Sequence, residues 1–281
     1  MLGIFIFSGG QKDNHLSTKE MWNPSTGAPV YRAAMSEGRF SFLLACLRFD
    51  DPDTRQERQA MDKFAPIRKI WDIFIDNCKK LYVPGENITV DKQLLAFRGR
   101  CPFRMYIPNK PAKYGIKLVL ANDVHSKYLL EGIPYLGKQV TQPQGGQSLG
   151  HYFTKELTKQ YHQTNRNVTT DNWFTSVPLA IDLLEICGMT LVGTVKANKR
   201  EIPHVMKENR TPGSSAFLFT KELTLLSFLS DAASKKKLVL LLSSMHTQPS
   251  IGPTHKPEVI EFYNQTKGGV DTFDQMCAQY G

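Results

Sequence analysis

Cysteine is scarce and poorly placed in this 281-residue chain: Cys46, Cys78, Cys101, Cys187 and Cys277 are odd in number, far apart and without a CxxC pair. That pattern excludes a disulfide framework and a zinc finger, leaving buried or free thiols. No stretch approaches the roughly eighteen apolar residues that a membrane-spanning helix needs. Leu2 to Phe7 is apolar but short, and lacks the basic lead and small-residue cleavage site of a signal peptide. The chain therefore reads as intracellular, without a membrane partner. Its N-x-[ST] triplets at Asn87, Asn167, Asn209 and Asn264 carry no weight in that setting. Also missing are HExxH or HxH spacing among the seven histidines, a G-x-S-x-G elbow, and a G-x-G-x-x-G or Walker loop. Zinc hydrolysis, serine hydrolysis and a nucleotide or other small-molecule cofactor fall away, and Gly145-Gly146 and Gly268-Gly269 read as turns.

What is present is an ordinary globular composition, with 41% hydrophobic and 22% charged residues and enough length for one or two domains. Acidic residues are in deficit, 26 against 35 Lys and Arg, for a net charge of +9. Such an excess favours a polyanionic partner or an acidic surface. Its distribution is more telling. Lys92, Arg98, Arg100, Arg104, Lys110, Lys113 and Lys117 follow one another with no intervening acid, interleaved with Phe97, Phe103, Tyr106 and Tyr114. A solvated basic face is the ordinary alternative. Cations among flat rings, however, suit a nucleic-acid groove, where ammonium and guanidinium groups neutralise phosphates and aromatics stack on bases.

The texture changes along the chain. To about Glu86 it is helical: Phe40, Leu43, Leu44 and Leu47 fall on one helix face behind a Ser36 N-cap. After a polar break at Asp50 to Arg58, the spacing predicts a helix over about Met61 to Tyr82, with Phe64, Ile67, Ile70, Trp71, Phe74, Ile75 and Cys78 on its buried side; the alternative is a later start set by Pro66 in its first turn. Short strands follow at Ile88 to Phe97, Phe103 to Ile107, Ile116 to Asn122 and Tyr128 to Tyr135, a meander. Then come a helix at Ser148 to Tyr161, a strand at Asn167 to Asp171, a helix at Val177 to Cys187 and a strand at Met189 to Lys196. This order indicates a mixed sheet with flanking helices, an α+β to α/β architecture. Ala197 to Lys256, rich in Lys, Ser, Thr and Pro with strands at 216–219, 223–229 and 237–243, reads as an inserted subdomain. A further element at Pro257 to Tyr263, a polar turn from Asn264 to Gly269 and a helix at Val270 to Met276 end the sequence. Lys235-Lys236-Lys237 reads as a solvated turn rather than an import signal.

Candidate chemistry lies in carboxylates. Asp91 closes an alternating run in which it shares a face with Thr89, Asp171 ends a strand, and Asp271 and Asp274 lie three apart on a helix entered through Gly268-Gly269. Mg²⁺ takes oxygen ligands in near-octahedral geometry from a few carboxylates, water and substrate phosphate. A pair of such ions activates the attacking oxygen and stabilises the leaving one in displacement at phosphorus. By spacing alone, a helix cap or turn role for each Asp stays open.

At these residues the sequence resembles a known family. ITVDKQLL at 88–95, FRGRCPFRMYIPNKPAKYGIK at 97–117, TDNWFTS at 170–176, VGTVKANKREIP at 192–203 and YNQTKGGVDTFD at 263–274 closely resemble the piggyBac transposases, in order and over nearly the whole chain. The resemblance implies an RNase H-like mixed sheet with flanking helices and a DDE/DDD catalytic site. Asp91, Asp171 and Asp271 would be the catalytic residues, with Asp274 a further metal-site acid and two Mg²⁺ as cofactor, Mn²⁺ substituting. It implies cleavage of transposon ends, strand transfer into TTAA target DNA, a homodimer in complete form and nuclear localisation. Arg98, Arg100, Arg104, Lys110, Lys113 and Lys117 are the expected DNA-binding residues by charge. The expected domains are 1–87, part of a helical dimerisation and DNA-binding domain; 88–196 and 257–281, the two parts of the catalytic domain; and 197–256, an insertion. Relative to the family pattern, the sequence lacks a longer N-terminal region and the helices and cysteine-rich module beyond the last Asp, so a truncated chain is expected. A catalytically inactive, domesticated DNA-binding or interaction protein is the alternative to an active transposase core.

Overall fold

The computed structural model describes residues 1–137, 147–208, 211–230 and 237–280; Asn209, Gly145-Gly146, Lys235-Lys236 and Gly281 lie outside them. The chain forms two compact units, Met1–Asp72 with Asp274–Gly281, and Ile73–Phe273.

The first unit holds α1 (Leu2–Gln11), α2 (Thr18–Met21), α3 (Pro29–Ala34), α4 (Glu37–Cys46) and α5 (Arg55–Met61). Its core is Ile4, Met21, Trp22, Tyr31 and Phe40. Ser36 caps α4 as expected, its hydroxyl accepting from Arg39 N at 3.2 Å, but only Phe40 of that helix is buried. The expected helix from Met61 to Tyr82 begins later, and the expected polar break at Asp50 to Arg58 carries the first residues of a separate helix, α5. The Asp62 carboxylate accepts from Phe64 N at 2.9 Å and takes the backbone out of helical pairing, so α5 ends at Met61 and α6 (Ala65–Leu81) starts beyond it with Pro66 in its first turn. Phe64, Ile75 and Cys78 are buried, whereas Ile67, Ile70 and Phe74 are exposed, contrary to the expectation for that face.

The second unit is built on one sheet. Its strands are β1 (Asn87–Ala96), β2 (Met105–Tyr106), β3 (Tyr114–Asp123), β4 (Leu129–Pro134), β5 (Asn167–Thr170), β6 (Thr190–Thr194), β7 (Ser215–Phe219), β8 (Thr224–Leu229) and β9 (Leu238–Ser243). Their order is β2-β3-β1-β5-β6-β9-β8-β7, with β4 also paired to β3. β1, β3 and β4 form the expected antiparallel meander, while β5 and β6 run parallel to β1. The order β4-β3-β1-β5-β6, three antiparallel strands joined by two parallel ones, is the RNase H-like arrangement. The expected strand at Phe103 to Ile107 shrinks to Met105–Tyr106, since Pro102 and Pro108 bracket it and Arg104 N closes a turn onto Cys101 O. The strands of 197–256 are not a separate sheet: β9 pairs antiparallel with β6, and β8 and β7 follow outward.

Alternation sorts the strands by face. Ile88, Val90, Val168 and Leu191 pack with Phe153, Leu157, Leu179 and Leu183, from α7 (Leu149–Thr158) and α8 (Val177–Glu185). Both helices begin on serine caps, Ser148 and Ser176. On the opposite face Val192, Leu226 and Leu241 pack with Val259 and Ile260 of α9 (Glu258–Thr266). α10 (Gly269–Ala278) follows after only Lys267 and Gly268. The polar turn expected from Asn264 is therefore shorter than its composition suggests, and Asn264 to Thr266 are helical.

Candidate active site

The placement of Asp91 and Asp171 follows from strand register. β1 and β5 pair in parallel with Val90 opposite Thr170, so the next residues, Asp91 and Asp171, stand side by side as β5 ends. Asp171 lies just past the carboxyl end of β5, where open α/β sheets present their ligand sites, while Asp91 lies midway along the longer β1. Two positions earlier, Thr89 and Thr169 point to the same face. Thr89 Oγ1 donates to Thr266 O at 2.6 Å and Thr169 Oγ1 to Thr266 Oγ1 at 2.8 Å. Both threonines are buried, and they tie the last turn of α9 to the sheet.

From that anchor α10 departs at Gly269. A Cβ there would lie 2.7 Å from Thr89 Oγ1, so only glycine allows the helix to start this close to β1. Asp271, in the first turn of α10, then faces Asp91 and Asp171. The three line one cavity of about 180 Å³ with Thr89, Thr170, Tyr263 and Lys267. Asp274 lies one turn further along α10 and is not among the residues lining the cavity.

Asp171 is held by the turn that follows it. Its Oδ1 accepts from Trp173 N at 2.9 Å, and its carbonyl accepts from Thr175 Oγ1 at 2.8 Å. Gly150 of α7 makes room for this turn, since a Cβ there would meet Trp173 O at 2.6 Å. Asp91 Oδ1 accepts from Lys92 N at 2.7 Å. Burial pushes the Asp91 carboxyl up to about 6; the neighbouring charge of Asp171 adds to this, Lys92 opposes it, and Asp271 contributes in the same sense as Asp171. Burial also raises Tyr263 above the usual phenol range, with the three carboxylates reinforcing the shift and the Thr194 hydrogen bond opposing it.

Lysines balance part of this negative charge. Lys92 Nζ lies 2.7 Å from Asp171 Oδ2 and 4.0 Å from Asp91 Oδ1, while Lys110 Nζ lies 3.9 Å from Asp271 Oδ1 and donates to Lys92 O at 3.2 Å. Among the described residues, no group of three His, Cys, Asp or Glu converges closely enough to hold a metal ion.

The expected DNA-binding residues divide in the structure. Arg98, Arg100, Arg104 and Lys113 are exposed. Arg104 donates to Arg98 O and Gly99 O and lies over Tyr114, whose ring is 4.8 Å from that of Tyr106. Lys110 is drawn toward the carboxylates, a pairing its sequence neighbourhood left open. Lys117 departs from the expectation: it is 7% exposed, with Nζ 4.4 Å from the ring centroids of both Tyr135 and Trp173. Alternation on β3 turns its side chain into the sheet's covered face, and burial lowers the amine to about 8, aided by Lys92 and opposed by Asp171. Sequence reading missed the Thr89, Thr169 and Thr266 contacts, Tyr263 and the ion pair of Lys92. The one available signal was the shared face of Thr89 and Asp91.

An RNase H-like sheet that sets Asp91, midway along β1, beside Asp171, just past β5, defines a transposase-class fold. Residues 1–281 match the family described as Transposase IS4, and the chain belongs to that family, in its piggyBac branch. It is 25% identical over 302 aligned residues to the human PiggyBac transposable element-derived protein 3, covering 99% of this chain and 49% of that protein. It is 22% identical over 301 to the human PiggyBac transposable element-derived protein 2, covering 100% and 49%. A piggyBac transposase solved by cryo-electron microscopy as a synaptic complex with hairpin DNA matches with a TM-score of 0.92 at 50% identity, over 99% of this chain and 58% of that one. The chain spans about half the length of the curated relatives it matches. Among the described residues, no helix is long and apolar enough to cross a membrane.

Proposed function

We propose that the cavity between β1, β5 and α10 is the phosphoryl-transfer centre of a DNA transposase core, with Asp91, Asp171 and Asp271 as its catalytic carboxylates. The observation that carries this reading is the parallel register of Val90 with Thr170, which sets two aspartates together, joined by the threonine contacts that bring in Asp271. The donor set is all oxygen, and the Asp91 carboxyl is raised first by burial and then by the charge of Asp171, which supports a pocket that favours cations. Drawn closer together than they stand in the structure, Asp91, Asp171 and Asp271 would hold two Mg²⁺, or Mn²⁺, with Asp274 as an accessory acid. When bound, such ions activate the attacking oxygen and stabilise the leaving oxygen in displacement at phosphorus.

The chain's own residues supply position and charge. The threonine ties and the turn after Asp171 fix the carboxylates on rigid elements, and Lys267 and Tyr263 wall the cavity on the α9 side. Arg98, Arg100, Arg104 and Lys113 present cations for the DNA backbone, with Tyr106 and Tyr114 among them. The reactions are water attack at a transposon end, attack of the freed 3′-hydroxyl on the opposite strand to give a hairpin, opening of the hairpin by water to restore the 3′-hydroxyl, and its attack on TTAA target DNA. We assign 88–196 and 257–281 to the catalytic domain, 197–256 to an insertion that widens its sheet, and 1–87 to part of a helical domain for dimerisation and DNA binding. The substrate places the activity in the nucleus.

Asp171→Asn should abolish metal-dependent cleavage of a transposon-end duplex and leave salt-sensitive DNA binding intact; equal cleavage by variant and parent would reject the assignment. A second reading, a DNA-binding protein without catalysis, draws on the lysines that already neutralise Asp171 and Asp271. It predicts binding with no cleavage in either Mg²⁺ or Mn²⁺.

A further inference from the structure

Lys92 does not line the cavity itself, but its ammonium reaches two of the carboxylates that do. Its Nζ donates to Asp171 Oδ2 at 2.7 Å and lies 4.0 Å from Asp91 Oδ1, so one side chain reaches both adjacent carboxylates. The geometry is supported from several directions. Nζ stands 5.3 Å from the Trp173 ring centroid and 5.5 Å from that of Phe174, the residues of the turn that orients Asp171. The Lys92 amide holds the other carboxylate, at Asp91 Oδ1, and its carbonyl accepts from Lys110, whose Nζ is 3.9 Å from Asp271. Lys92 is thus linked to each of the three carboxylates, directly or through one neighbour. Its side chain is 21% exposed and that of Asp171 32%, enough shielding for the pair to outlast a freely solvated one and enough access for it to open.

We propose that Lys92 is a built-in counter-ion of the carboxylate pocket: it occupies Asp171 when no metal is present and must be displaced for a divalent cation to enter. The inference rests on the metal-site reading above and adds to it a residue that sets cation affinity. Displacement is short in physical terms. Withdrawing the ammonium from Asp171 leaves it beside Trp173 and Phe174, which stabilise a cation through their ring faces.

The test is Mn²⁺ binding, followed by the paramagnetic resonance of the free ion, on the full chain without DNA. Lys92→Met keeps the apolar stem and removes the charge. It should bind Mn²⁺ about three- to tenfold more tightly than the parent, the range expected for loss of a partly shielded ion pair. Lys92→Arg should bind as the parent does. In an Asp171→Asn background the difference between Lys and Met at position 92 should vanish, an outcome that a purely structural lysine would not produce. Lys92→Gln repeats the comparison on a shorter polar side chain, and thermal midpoints with and without Mn²⁺ report whether each variant is folded. Saturable binding of equal strength in parent, Met and Gln variants overturns the role of Lys92 while leaving the metal site standing. Absence of saturable binding in all of them overturns both.

Discussion

Gly269 and Thr89 meet more closely than any residue with a side chain would allow, and the position of Asp271 depends on that contact. Gly269→Ala should push the start of α10 away from β1, with a cost of about 1–3 kcal/mol from overpacking against a buried hydroxyl. Gly268→Ala serves as the control, since the nearest atom to its added methyl would be Thr272 Oγ1 at 3.8 Å. Urea midpoints of the two variants check this; equal midpoints would remove the argument for a close approach. Lys117 gives a second test at this scale, through pH. Its amine titrates near 8 when folded against 10.5 as an ordinary lysine, so between those values the unfolded chain binds the proton that the folded chain has released. Stability contributed at this site therefore rises with pH from about 8 to 10.5. Lys117→Met should flatten that rise, seen as a smaller gain in urea midpoint between pH 8 and pH 10 than the parent shows. Parallel slopes for parent and variant would contradict the buried placement.

At the scale of elements, the junction of α9 and α10 is held by hydroxyls rather than by apolar packing alone. Thr266 Oγ1 donates to Phe262 O at 2.8 Å and accepts from Thr169. Thr266→Val keeps the shape and loses both bonds, at about 1–3 kcal/mol, and should lower cleavage by freeing the segment that carries Asp271. Thr266→Ser keeps the hydroxyl and should stay closer to the parent in both readouts; a valine variant as stable and active as the parent would show that the tie is dispensable. These contacts explain what was legible in the sequence. Alternation in 88–91 put Thr89 and Asp91 on one face, and the strand-helix-strand order after Asn167 announced parallel pairing. Register was not legible, because nothing in either strand alone states that Val90 faces Thr170. α5 was hidden too, since Arg55–Met61 is polar and carries no apolar period, and the Asp62 side chain separates it from α6. In 197–256 the short strands were legible but their pairing was not: nothing in the Lys- and Ser-rich connections states that β9 pairs with β6 and lengthens the same sheet.

At the scale of the whole molecule, a chain of net charge +9 carries a cavity lined by three aspartates, so its basic excess lies outside that cavity. The resemblance in sequence led to the three aspartates; strand register and the Thr266 anchor explain physically why they share a cavity. The most direct test compares the parent with Asp91→Asn, Asp171→Asn and Asp271→Asn in Mg²⁺-dependent cleavage of a transposon-end duplex, with DNA affinity measured on the same preparations. The account predicts that each substitution removes cleavage, by roughly a hundredfold or more, with affinity for the duplex largely kept. Cleavage at the parent's rate by any one of the three, with binding intact, would contradict it.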